Sequence, residues 1–271
     1  MVYYYFYIAI FNNYIKMRKE KLSFIGISLL IFSFTLTSCS KSDNATEIDA
    51  STEGSVSVTS TVQSKYTTAV AISTSGNTIT LKSNGTPNHL SPYWGVGKPQ
   101  YEAPRTGYTV NPGIISEHTL AMTIPTNPAS ATIKEETALG AIGMALNGVP
   151  IYNDREGGNV PVDAMILTSF DRGGAHVGPS GYHYHVSGEF TTTDDANLVG
   201  FLRDGFPIYG RKDKDGTYPT NLDAYGGHTS VTADFPTGIY HYHCSNVNYL
   251  NAGVYILKSG SYYGTKGTFT N

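Results

Sequence analysis

The stretch "GYHYHVSG" at Gly181–Gly188 recurs in nearly the same form as "IYHYHCSN" at Ile239–Asn246. These two alternating Tyr-His tetrapeptides hold four of the eight histidines in the chain. Alternation with a period of two is typical of a β-strand, in which successive side chains point to opposite faces of the sheet. The pattern predicts two strands, each with two histidines on one face and two tyrosines on the other.

Two further pairs of similar segments accompany the tetrapeptides. "GMALNGVPIYN" from Gly143 aligns with "GFLRDGFPIYG" from Gly200 at an offset of 57 residues, and the "GGAH" at 173–176 is answered by the "GGH" at 226–228. Three landmarks in the same order at nearly the same offset predict an internal duplication of about 57 residues. The predicted repeats span residues 141–190 and 198–258.

Each repeat predicts a strand that ends in P-I-Y, a glycine-rich loop with one histidine, and a strand with two histidines. Two copies are too few for a solenoid, so we expect the halves to pack their apolar faces together. The predicted fold is one compact, all-β, β-sandwich-like domain over residues 62–271. Helical signals are few, and "AMILTSF" at 164–170 is interpreted as another short strand.

The segment "MRKEKLSFIGISLLIFSFTLTSC" at 17–39 is typical of a bacterial export signal, with basic residues, an apolar run and then small residues. The apolar run is shorter than the roughly 20 residues of a membrane-spanning helix. Its end, "LTSC", resembles the lipobox of bacterial lipoproteins, in which the cysteine becomes the acylated first residue. Residues 1–38 are therefore interpreted as upstream sequence plus a signal peptide, with the start at Met17.

Lipidation of Cys39 would anchor the protein to a membrane of the bacterial cell envelope. An ordinary secretory signal with a chance cysteine is the alternative. Residues 39–61 are rich in Ser, Thr, Asp and Glu, which predicts a flexible tether before the domain. With Cys39 acylated, Cys244 would be the remaining thiol, so an internal disulfide is excluded.

The composition excludes nucleic acid as an expected partner. Charged residues make up 14% of the 271 residues, the formal net charge is −3, and no basic patch or polybasic tail is visible. The abundance of Tyr, Thr, Ser, Gly and Asn is typical of exported β-rich proteins.

The histidine pattern predicts a metal site. Two imidazoles on one face of a strand at this spacing bind one metal ion, and imidazole ligands suit zinc and copper better than calcium or magnesium. A third ligand would come from the glycine-rich loop of each repeat. The candidate ligands are His176, His183, His185, His228, His241 and His243. The sequence leaves open whether they form one shared centre or two.

Several other residues have open roles. His89 and His118 lie outside the repeats and would either complete a site or pack in the core. Cys244 is expected to face away from the histidines as a buried, inert thiol. Three aspartates would orient histidines or act as a general base, or serve as turn residues: Asp171, Asp223 and Asp234. "DKDG" at 213–216 predicts a hairpin turn.

Together, the two YHYH tetrapeptides, "NGVPIY", "DGFPIYG", the "GGH" loop and "NGTPNH" at 84–89 resemble the YHYH-domain family. The resemblance covers residues 84–257. The family is named for its motif, so the resemblance implies an exported or lipid-anchored domain and no established activity.

The sequence thus favours an envelope lipoprotein with a metal-binding β domain, for metal handling or metal-dependent chemistry. Whether it is an enzyme stays open, as does any substrate. The alternative is a non-enzymatic extracellular binding or adhesion module with structural histidines. In that alternative Tyr93 and Trp94 would form an exposed platform that stacks on a glycan.

Overall fold

A computed structural model of the protein describes residues 56–271. The predicted signal peptide, Cys39 and the tether up to residue 55 lie outside the described residues. The folded region already includes Val58, which is fully buried and whose backbone N–H donates to the Thr126 carbonyl at 2.9 Å. The domain therefore begins a few residues before the predicted position at residue 62.

The described elements are mostly short strands. In chain order they are α1 Thr59–Lys65, β1 Ala71–Ser75, β2 Thr78–Ser83, a 3-10 turn Pro92–Trp94, β3 Leu120–Pro125, β4 Gly143–Ala145, β5 Pro150–Ile151, β6 Arg155–Glu156, β7 Val160–Pro161, α2 Ala164–Leu167, β8 Ala175–Gly178, β9 Gly181–Tyr184, β10 Leu198–Leu202, β11 Pro207–Tyr209, β12 Gly227–Ser230, β13 Ile239–His243 and β14 Thr268–Thr270. No helix between residues 56 and 271 is long and apolar enough to cross a membrane.

The largest sheet has eight strands in the order β12-β13-β11-β10-β4-β5-β9-β8. Its two halves have the same internal pairing. In each half an antiparallel hairpin, β4–β5 or β10–β11, is joined in parallel to the Tyr-His strand, β9 or β13, which pairs antiparallel with β8 or β12. The halves meet edge to edge at the antiparallel pair β4–β10 and form one continuous sheet, so the expectation that they pack their apolar faces together was wrong. Two duplicated halves would give this arrangement, and the duplication itself stays a prediction.

A second sheet is antiparallel in the order β1-β2-β3-β14, and β6 and β7 form a separate two-stranded ribbon. One hydrophobic cluster joins the two larger sheets. It contains Leu81 and Met122 from the four-stranded sheet, and Phe201 and Tyr242 from the eight-stranded sheet. Because the two sheets bury their apolar side chains against one core, the compact all-β fold is confirmed.

The two Tyr-His strands divide their side chains by face as predicted. The tyrosines of both strands belong to the shared hydrophobic core. Two of the hydroxyls donate to buried acidic side chains: Tyr182 donates to Asp171 and Tyr242 donates to Asp204, both at 2.5 Å. The histidines consequently lie on the other face of the sheet in both halves.

Two local predictions were wrong. Residues 164–167 form α2 and not a strand, because the Asp163 side chain accepts the backbone N–H of Ile166 at 2.8 Å and so caps a helical turn. The segment that leads into each P-I-Y is not a single strand. It folds into a hairpin, β4–β5 or β10–β11, whose second strand pairs with a Tyr-His strand.

Candidate metal centres

The six predicted histidines fall into two groups, each completed by one acidic residue. In each group the candidate ligand atoms lie within 4.8 Å of one another. The first centre consists of Glu156, His176, His183 and His185, and the second centre consists of Asp213, His228, His241 and His243. Four strands of the sheet separate β9 from β13, so the structure arranges the histidines as two centres and not as one.

Strand register supplies the third histidine of each centre. His176 on β8 lies directly opposite His183 on β9, and His228 on β12 lies directly opposite His241 on β13. The prediction that placed these third histidines in glycine-rich loops was therefore wrong. The glycines form the turn before each strand: Gly174 has a φ of +81°, and its carbonyl accepts the backbone N–H of His185 at 3.0 Å.

Main-chain carbonyls anchor the ring nitrogen Nδ1 in four of the six histidines. His183 reaches the Gly181 carbonyl at 2.9 Å, and His241 makes the matching contact with Ile239 at 3.0 Å. The corresponding contacts of the other pair are His185 with Asn153 at 2.6 Å and His243 with Gly210 at 2.8 Å. A carbonyl oxygen only accepts hydrogen bonds, so Nδ1 carries the proton and Nε2 keeps its lone pair.

The two remaining histidines are anchored by side chains. The Nδ1 of His176 lies 2.8 Å from the Ser169 hydroxyl and 3.1 Å from the side-chain nitrogen of Asn111. The Nδ1 of His228 lies 2.8 Å from the amide oxygen of Asn221. The five rings whose Nδ1 contacts a carbonyl or amide oxygen therefore have Nε2 available as a metal ligand, and all six rings have their orientation fixed from behind, as in known histidine metal sites.

The Nε2 atoms converge on the two carboxylates. In the first centre Glu156 Oε1 lies 3.3 Å from Nε2 of His176 and 3.2 Å from Nε2 of His185. In the second centre Asp213 Oδ1 lies 3.0 Å from Nε2 of His228 and 3.4 Å from Nε2 of His243. Tetrahedral zinc, with ligands at about 2.0–2.1 Å, has neighbouring ligand atoms about 3.3 Å apart. These four spacings lie near that value, whereas Nε2 of His241 lies farther from Asp213 Oδ1, at 4.0 Å.

Three buried atoms of the first centre have no hydrogen-bond partner within the described residues: Nε2 of His176, Nε2 of His185 and Oε1 of Glu156. Unpartnered buried polar groups are rare because each loses its hydration without compensation. A cation between these atoms would satisfy all three.

The charge states also suit a metal. Burial, followed by the neighbouring His176, lowers the pKa of His183 to about 3, and burial likewise lowers the pKa of His241 to about 3. Burial opposes the charge of Glu156, yet its contacts with His176 and His185 bring its pKa below the usual value. Near neutral pH the first centre therefore presents the uncharged imidazoles of His183 and His185, whose pKa values are lowered well below the usual value by burial, and a carboxylate; such groups bind divalent metals.

The two acidic members were missed from the sequence, although a signal was present. Glu156 lies four residues after the tyrosine of the first P-I-Y, and Asp213 lies four residues after the tyrosine of the second. Both therefore follow the 57-residue offset. Asp213 also begins the predicted turn, in which the Gly216 N–H donates to the Asp213 carbonyl at 2.9 Å.

The three aspartates considered from the sequence contact tyrosines and not histidines. Asp171 accepts from Tyr182, as described above. Asp223 accepts from Tyr240 at 3.1 Å, and Asp234 accepts from Tyr209 at 2.9 Å. The three aspartates therefore act as hydrogen-bond acceptors for tyrosine hydroxyls in or beside the core.

His89, His118 and Cys244 belong to neither centre. His89 stacks on Phe190 with ring centroids 3.8 Å apart, and its Nε2 contacts the Tyr184 hydroxyl at 2.8 Å. His118 is half-buried beside Ser116. Cys244 is buried in the core, where burial raises the pKa of its thiol, and it fits the expected inert role.

Comparison with known families gives one match. The family model described as "YHYH protein" matches residues 121–220. This segment contains all of the first centre and Asp213 of the second, whereas the other three residues of the second centre follow it. No curated protein and no solved structure matches the chain.

Proposed function

We propose that this chain, whose residues 121–220 match the YHYH family model, is a zinc protein with one ion in each centre. The observation that carries the proposal is the shared design of the two centres. In each, three imidazoles are anchored through Nδ1 and direct Nε2 toward one carboxylate. A hydrogen bond to the ring nitrogen that does not bind the metal is characteristic of histidine ligands.

The ligand set favours zinc over copper. Zinc accepts three imidazoles and a carboxylate in a tetrahedral arrangement, which the spacings near 3.3 Å support. Cu(II) prefers a tetragonal arrangement, and Cu(I) prefers thiolate or thioether ligands. Cys244, on the core side of the sheet, is directed away from the second centre. Copper is retained as the competitor in the test.

We further propose that the protein works in the bacterial cell envelope, anchored through a lipid on Cys39. The lipobox-like "LTSC" and the apolar run before it support this placement. In that location the domain would serve zinc handling or zinc-dependent chemistry.

The alternative of a glycan-binding module has less support. Tyr93 is only 1% exposed, and its hydroxyl donates to the Ser169 carbonyl at 2.7 Å. The indole N–H of Trp94 donates to the His89 carbonyl at 3.0 Å. A buried tyrosine and a tethered tryptophan do not make an exposed platform for a sugar ring.

Metal counting tests the proposal. The full chain, purified from detergent extracts without a histidine tag, is expected to contain two zinc ions after equilibration with equal zinc and copper. His183→Ala and His241→Ala should each retain one ion, and the double variant none. His118→Ala, which removes a histidine outside both centres, should retain two. Fewer than one ion in the unmodified chain, or two ions in the double variant, would contradict the proposal.

A further inference from the structure

The two centres differ in how they are covered. "TSFDRGGAH" at 168–176 aligns with "TNLDAYGGH" at 220–228, so Phe170 in the first half corresponds to Leu222 in the second. Phe170 is 2% exposed, and its ring centroid lies 4.8 Å from that of His176 and 5.3 Å from that of His185. Leu222 is 37% exposed. An aromatic ring thus closes the first centre, and its counterpart at the second lies at the surface.

A hydroxyl group also distinguishes the second centre. Ser230 Oγ lies 3.3 Å from Nε2 of His228. The corresponding residue of the first half is Gly178, where an added Cβ would lie only 2.9 Å from the His183 ring. The first centre therefore has no room for a side chain at this position, whereas the second places a hydrogen-bond donor beside its ligand nitrogens.

The second centre is also more exposed at one of its histidines. His228 is 8% exposed, whereas its counterpart His176 is 1% exposed. Access from solvent is therefore greater on the His228 side of the second centre.

From these differences we infer that the second centre takes a fifth ligand from solvent, water or a small anion, in addition to its four protein ligands, and that Ser230 positions it by donating a hydrogen bond. The first centre is a closed site that stabilises the fold. When Nε2 of His228 serves as a metal ligand, the Ser230 hydroxyl loses that acceptor and is free to donate to the incoming ligand. Three neutral imidazoles and one carboxylate leave a divalent ion with a net charge of +1, which favours an anion. This inference rests on the proposed zinc binding.

Azide binding to the cobalt-substituted protein tests the inference. The full chain is loaded with Co²⁺, its metal content is counted, and azide is titrated while the visible absorption of the cobalt is followed. We expect one azide per chain that contains two cobalt ions. His183→Ala should keep this response with one cobalt, and His241→Ala should lose it although one cobalt remains.

Two substitutions test the residues that make the difference. Ser230→Ala should keep two cobalt ions and weaken azide binding about tenfold, the size expected for one lost hydrogen bond to a charged group. Thr229→Ala, an exposed neighbour on the same strand, should change nothing. Leu222→Phe, which supplies the ring of the first centre, should also weaken azide binding.

The outcomes separate the two proposals. Absence of bound cobalt or zinc would overturn the zinc proposal before azide is added. If the chain binds two cobalt ions, the inference of an open second centre would be overturned by two azides per chain, by no azide, or by loss of the azide response in His183→Ala. Each of these outcomes would leave the zinc proposal intact. An unchanged azide affinity in Ser230→Ala would overturn the positioning role of that hydroxyl. The count of azide per cobalt in the unmodified chain requires no variant to fold.

Discussion

His176 and His183 are direct cross-strand partners, and their ring centroids lie 4.8 Å apart. His228 and His241 repeat this relationship at the same distance. The third histidine of each centre is therefore fixed by the hydrogen-bonded register of two strands. A shift of one residue in that register would turn the ring to the other face of the sheet. Such a ladder holds its ligands more rigidly than a loop would.

Removal of a histidine anchor should weaken one centre alone. In Ser169→Ala the Nδ1 of His176 loses its partner at 2.8 Å, so we expect zinc affinity at the first centre to fall about 10–100-fold. Asn221→Ala should have the same effect at the second centre, because Asn221 anchors His228. Competition with a chromophoric chelator measures both affinities. If either variant weakened both centres equally, the anchors would not act locally.

The tyrosine face should control stability without affecting the metal. Asp204 is fully buried and accepts from Tyr242 at 2.5 Å and from the Gly264 N–H at 2.9 Å. Tyr242→Phe leaves the carboxylate with one fewer donor, which should lower the free energy of unfolding by about 1–3 kcal/mol in urea titrations. The zinc content should stay at two per chain. Tyr218→Phe, at an exposed position, serves as the control.

Acid should destabilise the metal-free protein between pH 6.5 and about 3. The pKa of both His183 and His241 is about 3 in the fold, against 6.5 for a solvent-exposed histidine, so the unfolded chain binds more protons in this interval. The free energy of unfolding should therefore fall as the pH falls, by up to about 1.4 kcal/mol per pH unit for each histidine. Urea titrations with a chelator from pH 7.5 to 4.5 measure the slope. The double variant His183→Gln, His241→Gln should show a shallower slope, and an equal slope would contradict this assignment.

A matched pair of glycines tests the turns before β8 and β12. Gly174 and Gly226 have φ values of +81° and +77°, so alanine is strained at either position. An added Cβ at Gly174 would also overlap the Val186 carbonyl oxygen, whereas Gly226 has open space around it. We expect Gly226→Ala to cost about 1 kcal/mol of stability and Gly174→Ala clearly more. Thermal unfolding compares the two, and equal losses would show that the backbone conformation alone sets the cost.

The faces of the Tyr-His strands and the six candidate histidines could be predicted from the amino-acid sequence alone. Alternation is a local property of an extended chain, so the assignment of histidines to one face and tyrosines to the core required no knowledge of distant contacts. The 57-residue offset predicted matching halves and also marked Glu156 and Asp213, although their importance was not apparent until they were placed beside the rings.

The grouping of these residues into two centres depends on how the strands pair in the folded chain. Strand order, which depends on non-local pairing, places four strands between β9 and β13 and so makes two centres and not one. The Phe170 ring packs against His176 in the first centre, whereas Leu222, at the corresponding position of the second half, is exposed. Local periodicity assigns a side chain to one face of a strand. The neighbours of that side chain on the same face depend on long-range strand pairing and packing, and these neighbours distinguish a closed metal site from an open one.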